Sequence, residues 1–222
     1  MKVKPVNLLL LIAATGVFVY AFFIHDSDKP ARYLPVFGDK QYESKNGKTD
    51  TSYHTIPDFS FINQDGKSIS QKDFQGSIYV TDFFFTTCKS ICPVMSNNME
   101  QVYEKFKGNP AVKFLSHTVD PEVDTVEQLK RYAIQHHADA SQWMFVTGDK
   151  KELYAIARNG YLLNAEQGDG GPDDFIHTQN FALIDKDKRI RGFYDGTDSS
   201  NTYQLIKDIE LLLAEYRYKE KK

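Results

Sequence analysis

Ile78-Tyr79-Val80-Thr81-Asp82-Phe83-Phe84-Phe85 leads through Thr86-Thr87 into Cys88-Lys89-Ser90-Ile91-Cys92-Pro93, with Val94, Met95, Met99, Val102, Tyr103 and Phe106 beyond. The first run is apolar at nearly every position, which predicts a central strand covered on both faces. The later apolar residues recur at helical spacing up to Gly108-Asn109-Pro110, and Pro93 sits where the first turn of a helix tolerates it. The chain's two cysteines therefore fall where a strand becomes a helix. A helix N-terminus offers unpaired N–H groups and the positive end of a dipole, both favouring thiolate over thiol. Thiolates serve soft-metal binding or disulfide exchange.

Working outward, Phe59-Ser60-Phe61-Ile62 and Ser68-Ile69-Ser70 read as short strands around an Asp65-Gly66 turn. Residues 112–119 read as a strand ended by Asp120-Pro121, and Asp124-Thr125 caps a helix expected through about His137. A strand at 143–147 and a short helix at 150–158 follow. The Gly- and Asp-rich loop 160–171 is expected to hold a hairpin around Tyr161-Leu162-Leu163. Strands at 179–184 and 189–194 precede a helix over 199–216, with Tyr203, Ile206, Ile209, Leu212 and Leu213 inward. Alternating strands and helices that finish in a hairpin and a packing helix predict a three-layer α/β sandwich with a mixed sheet.

The 222 residues allow one domain plus appendages, at roughly 100–200 residues per domain. With 30 acidic against 27 basic side chains the net charge is −3, which excludes the basic footprint of a nucleic-acid binder. Residues 8–24 are apolar apart from Thr15 and Gly16, and read as an N-terminal membrane anchor. The bulky exit Tyr20-Ala21-Phe22-Phe23-Ile24 argues against signal cleavage. Lys2 and Lys4 favour a cytoplasmic N-terminus, which leaves the remainder on the extracytoplasmic, periplasmic side. The expected layout is an anchor over 1–25, a polar tether over 26–55, a folded domain over 56–216 and a polar tail over 217–222. Within the tether, Tyr33-Leu34-Pro35-Val36-Phe37 can pack as a short edge segment.

In an oxidising compartment the cysteines can form one structural disulfide. Closing so short a loop removes little unfolded-chain entropy, which makes it a poor staple. A metal site needs a third ligand, and there are six histidines. His25 borders the apolar run and His54 lies in the tether, so both read as surface residues. His136 and His137 close a helix, where a cationic side chain suits the dipole. His117 sits mid-strand, as a core or edge histidine. His177, in Phe175-Ile176-His177-Thr178-Gln179, enters a strand from the Gly-rich loop, and its position alone leaves a structural role open.

Phe83-Phe84-Phe85-Thr86-Thr87-Cys88-Lys89-Ser90-Ile91-Cys92-Pro93 resembles the C-x-x-x-C-P signature of the Sco (SenC) copper-binding proteins. Thr118-Val119-Asp120-Pro121-Glu122-Val123-Asp124-Thr125 resembles their strand-ending V-D-P-x-x-D-T. Ile176-His177-Thr178, ahead of Phe181-Ala182-Leu183-Ile184-Asp185, matches where that family places its metal-binding histidine. The resemblance spans residues 56–215. It implies a thioredoxin-like fold, a copper site made by Cys88, Cys92 and His177, and a role in assembling the dinuclear copper centre of cytochrome c oxidase. The implied partners are the copper-binding subunit of that oxidase or another cuproprotein, and an upstream copper donor. Soft thiolates select Cu(I), and an added imidazole admits Cu(II).

The chain also departs from the pattern. Family members commonly read T-H-C-P-D-x-C-P, whereas Thr87, Lys89 and Ser90 stand here. Ile176 precedes the histidine where Asp is common, with Asp174 two positions further back as a candidate hydrogen-bond partner. Lys89 is expected to lower the thiol pKa values. Asp120 and Asp124 read as turn and cap residues. The expectation is a membrane-tethered metallochaperone rather than an enzyme. The alternative is a dedicated thiol–disulfide oxidoreductase that keeps the cysteines of a copper-receiving protein reduced. The C-x-x-x-C spacing disfavours a general exchange enzyme, which usually carries C-x-x-C, and the peroxiredoxin pattern is absent before Cys88.

Overall fold

The computed structural model describes residues 30, 32–45, 48–163, 176 and 178–221. The apolar run 8–24 and His177 lie outside them. Among the described residues no helix is long and apolar enough to cross a membrane. The chain divides into two units, residues 34–209 and residues 1–33 with 210–222.

In chain order the strands are β1 (Lys40–Lys45), β2 (Lys48–Tyr53), β3 (Ser60–Asn63), β4 (Ser68–Ser70), β5 (Ile78–Phe84), β6 (Val112–Thr118), β7 (Trp143–Thr147), β8 (Asn180–Ile184) and β9 (Ile190–Asp195). The helices are α1 (Cys92–Phe106), α2 (Val126–Gln135), α3 (Lys150–Ala155) and α4 (Ser199–Glu220). Seven strands make one mixed sheet in the order β4-β3-β7-β6-β5-β8-β9, while β1 and β2 pair only with each other. β5 lies parallel to β6 and antiparallel to β8, and all seven of its residues are buried. An apolar run without alternation has this place in a sheet, because both of its faces must be covered.

Alternation along the strands divides the core into two faces. On one, Tyr79, Phe83, Leu115 and Val146 pack with Phe61, Phe74, Tyr154 and Tyr161. On the other, Phe84 stacks on Tyr132 of α2 at 5.1 Å and Tyr103 of α1 meets Phe114 edge-on at 5.6 Å. Helices thus cover both faces, as the three-layer expectation requires. The Asp65-Gly66 turn also forms as expected: Gly66 has φ +72°, and Asn63 Oδ1 accepts from the N–H groups of Asp65 and Lys67.

At several places the described residues add to or differ from the expectation. The stretch read as a tether holds the β1–β2 hairpin, whose strands show no apolar alternation because they join no core sheet. The short helix after β7 ends at Ala155 and passes into a π-helical turn, Ile156–Gly160. Around Tyr161 the described residues 161–163 form no strand, the Tyr161 ring is wholly buried, and Leu163 N–H donates back to Ala157 O; the rest of the loop read as holding a hairpin lies outside the described residues. Tyr203 is 63% exposed, with Lys207 over its ring, and the buried residues of the 34–209 part of α4 are Thr202, Leu205, Asp208 and the expected Ile209. The end of α4, read as a polar tail from residue 217, stays helical to Glu220.

Leu34-Pro35 is held by a buried cation, Arg191 on β9. Its guanidinium donates to Leu34 O at 2.7 Å, to Pro35 O at 2.9 Å and to Asp185 Oδ2 at 3.1 Å. Phe37 N–H adds a bond to Ile190 O, so residues 34–37 run along the β9 edge. This edge contact agrees with the packing expected for residues 33–37. Breaking a buried ion pair from one side leaves the other charge stranded. Arg191→Ala is expected to lower stability by about 3 kcal/mol, read as a fall in the denaturant midpoint, and to open residues 34–37 to limited proteolysis. A loss below about 1 kcal/mol, in the range of an exposed pair, would show that Arg191 does not hold this edge.

Candidate metal centre

The turn 85–91 carries the chain from the buried end of β5 into α1. Cys88 N–H closes it by donating to Phe85 O at 3.2 Å. Ile91 occupies the cap position of α1 and no side chain caps the helix, so its first N–H groups need another acceptor. Cys88 provides one, since Cys92 N–H donates to Cys88 Sγ at 3.4 Å. Ser90 Oγ lies 3.6 Å from the same sulfur. The two cysteines differ in surroundings: Cys88 is partly exposed, and Cys92 is 3% exposed.

These contacts split the two thiols. Burial alone raises the Cys88 pKa, but hydrogen bonds from the Cys92 side chain and N–H, and from Ser90, outweigh it and bring the thiol down to about 7. Burial drives Cys92 up to about 12, aided by its role as donor to Cys88 and by the negative charges of Cys88 and Asp82. Near pH 7 Cys88 is therefore about half ionised, while the buried Cys92 keeps its proton. Lys89 has no part in the shift, contrary to the expectation that it lowers the thiol pKa values; the donors are Cys92 and Ser90.

Asp82 was hidden within an apolar run and is the one acidic side chain of β5. Its carboxyl is 1% exposed, and Oδ1 has no hydrogen-bond partner. Burial pushes its pKa up to about 7, against a hydrogen bond from Ser116. A charged residue inside an apolar strand was the available signal. Asp124 was read as a cap, yet Thr125 caps α2 by accepting from Gln128 N–H, and the Asp124 carboxylate turns toward Thr86 and Thr118.

A small cavity of about 140 Å³ adjoins the sulfurs, walled by Phe83, Phe84, Phe85, Ile91 and Val119. Ile176 and Thr178, which flank His177 in the chain, line it as well. Among the described residues no three His, Cys, Asp or Glu side chains group to hold a metal, so the donors brought together there are Cys88 and Cys92. The other described histidines have other partners. His54 Nε2 meets Gly160 O at 2.7 Å, and His136 and His137 both meet the Glu100 carboxylate. His137 has φ +52° just past the end of α2, which ends at Gln135.

His117 is wholly buried behind the cavity wall, stacked on Phe83 at 4.7 Å. Thr81 spends its one O–H on Leu115 O at 2.7 Å, so at the 3.2 Å contact with His117 Nδ1 it can only accept. The imidazole therefore carries its proton on Nδ1 and a bare lone pair on Nε2. Burial holds its pKa down at about 3, so it stays neutral.

A family profile described as SCO1/SenC matches residues 47–214. The chain belongs to the SCO1/SenC family. It is 32% identical to the SCO1 protein homolog of Bacillus subtilis over 165 residues, covering 73% of this chain and 84% of that one. Among solved structures, BsSco, named as a member of the Sco family of cytochrome c oxidase assembly proteins and solved with a disulfide switch, is 30% identical with a TM-score of 0.61. The match covers 72% of this chain and 93% of BsSco. Arabidopsis thaliana ScoI, solved with copper bound, is 27% identical with a TM-score of 0.56, over 70% of this chain and 98% of that one. The mixed sheet and four helices thus form the Sco architecture.

The thiol asymmetry has a direct readout. Alkylation of Cys88 by iodoacetamide should rise with pH through a midpoint near 7, since thiolate is the reacting form. Cys92 should stay unmodified to about pH 9 or above. Cys92→Ala removes a donor to the Cys88 thiolate, so the midpoint should move upward. Equal reactivity of both thiols, or a midpoint unmoved by the substitution, would contradict the hydrogen-bonded pair.

Proposed function

We propose that this Sco-family chain is a copper chaperone. It binds the ion as cargo through Cys88, Cys92 and His177 and delivers it to a copper-receiving protein, the copper-binding subunit of cytochrome c oxidase in the first place. The observation that carries the reading is the pair of sulfurs beside one aromatic-walled cavity, one exposed near the surface and one buried. Two thiolates form a soft donor set, which selects Cu(I), and an imidazole extends it to Cu(II). Relatives described with copper bound support the cargo, and the description of BsSco as one of the oxidase assembly proteins supports the recipient. An upstream donor and an anchor formed by residues 1–25, with the domain on the periplasmic side, complete the proposal.

The ligand set orders the handling of protons. Cu(I) arriving at Cys88 meets a sulfur already half ionised near pH 7, and it must displace the proton of Cys92 to gain the second. Binding therefore releases protons and strengthens as pH rises through 7. The place of His177 in the ligand set is supported by its chain neighbours Ile176 and Thr178, which line the same cavity.

The second reading, thiol–disulfide exchange, is favoured by the same asymmetry. A partly exposed, half-ionised Cys88 suits attack, and a buried, protonated Cys92 suits resolution of the mixed disulfide. The two readings part at His177, which exchange does not use. His177→Ala should weaken Cu(II) binding at least tenfold while leaving reduction of a Cys88–Cys92 disulfide nearly unchanged. In parallel, the reduced protein should retain one Cu(I) against a moderate chelator, and Cys88→Ser or Cys92→Ser should lose it. Failure to retain Cu(I) would refute the chaperone, and Cu(II) binding indifferent to His177→Ala would remove that residue from the site.

A further inference from the structure

The carboxylate of Asp124 is wholly buried between the end of β6 and the cysteine turn. Both of its oxygens accept from Thr86 N–H at 3.2 Å, Oδ1 accepts from Thr86 Oγ1 at 2.5 Å, and Oδ2 accepts from Thr118 Oγ1 at 2.5 Å. Gln128, on the first turn of α2, donates from Nε2 to Thr86 Oγ1 at 3.1 Å. We propose that Asp124 is a positioning residue for the cysteine pair, clasping the turn that carries Cys88 to the start of α2. The proposal rests on the pair being the working site, whether for copper or for exchange.

Three observations converge on it. Asp124 is freed from capping because Thr125 caps α2, which leaves the carboxylate to bridge Thr118, at the end of β6, and Thr86. Thr86 precedes Cys88 by two residues in a turn closed by Cys88 N–H to Phe85 O, so pinning Thr86 pins the sulfur. Cys92 is referenced to the same helix by a separate bond, since Ser96 of α1 meets Tyr132 of α2 at 2.7 Å in the interior. Both sulfur-bearing segments are thus fastened to α2, one through Asp124 and Gln128, the other through Ser96. Two ligands held at a set separation lose less freedom on closing around an ion or into a disulfide.

In the disulfide test, Cys88 and Cys92 give two electrons and two protons to glutathione disulfide, forming one S–S bond and two glutathione thiols. Asp124→Asn keeps the shape and one carbonyl acceptor but loses the second. The glutathione equilibrium should move about tenfold toward the dithiol, equal to about 30 mV, and Cu(I) retention against a chelator should fall by a similar factor. Thr86→Val should shift both in the same direction, Thr86→Ser should restore both, and the Asp124→Asn/Thr86→Val double variant should be no worse than the stronger single one. Unchanged equilibria in a folded Asp124→Asn protein would overturn the proposal. If that variant does not fold, unchanged equilibria in Thr86→Val would do so. The glutathione arm uses no metal, so it tests the clasp even if the wild-type protein retains no copper, a result that would refute the chaperone reading alone.

Discussion

One unmet backbone demand organises the centre of this protein. A wholly buried strand, β5, hands the chain to a helix that begins without a side-chain cap, and the sulfur of Cys88 accepts the N–H of Cys92. A helix start needs an acceptor, and a sulfur that accepts becomes more negative in character. The same geometry buries Cys92 under the first turn, where its thiol donates to Cys88 and holds on to its proton. The division of labour between the two cysteines is thus a consequence of how the strand ends, and it needs no neighbouring cation.

The central elements were legible because they obey simple periodicities. The unbroken apolar run 78–84 has two covered faces, the 3.6-residue pattern after Pro93 gives α1, and the Asp65-Gly66 turn takes the left-handed conformation its glycine permits. What escaped notice depends on long-range partners. The β1–β2 hairpin pairs with no other described strand and carries no apolar signal, and on α4 the expected Ile209 and Leu212 are buried while Tyr203 faces outward with Lys207 over its ring. The residues around the site were harder still. Asp124 looks like a helix cap on sequence, and only the fold brings Thr86, 38 positions away, to its carboxylate. Asp82 was visible as a charge in an apolar strand, but its buried oxygen without a hydrogen-bond partner among the described residues follows from tertiary packing. The two cysteines and the residues flanking His177 line one cavity, while His177 itself lies outside the described residues.

Asp82 and Cys92 also share a constraint. Each has its ionised form disfavoured chiefly by burial, and each negative charge opposes the other. Removal of the Cys92 proton, by a metal or by disulfide formation, brings that opposition into play unless the resulting sulfur charge is neutralised. A cation or a second sulfur does this. Under the proposed reading, copper cargo and disulfide formation would draw on the same electrostatic arrangement, and the imidazole of His177 would be what distinguishes them.

The most direct test of the proposed copper site is X-ray absorption at the copper edge on the purified reduced protein loaded with one equivalent of Cu(I), then oxidised to Cu(II). The site described here predicts two sulfur neighbours in the Cu(I) state, with one imidazole nitrogen joining them in the Cu(II) state and disappearing in His177→Ala. A first shell of nitrogen and oxygen alone, or a spectrum unchanged when Cys88 or Cys92 is replaced by Ser, would contradict it.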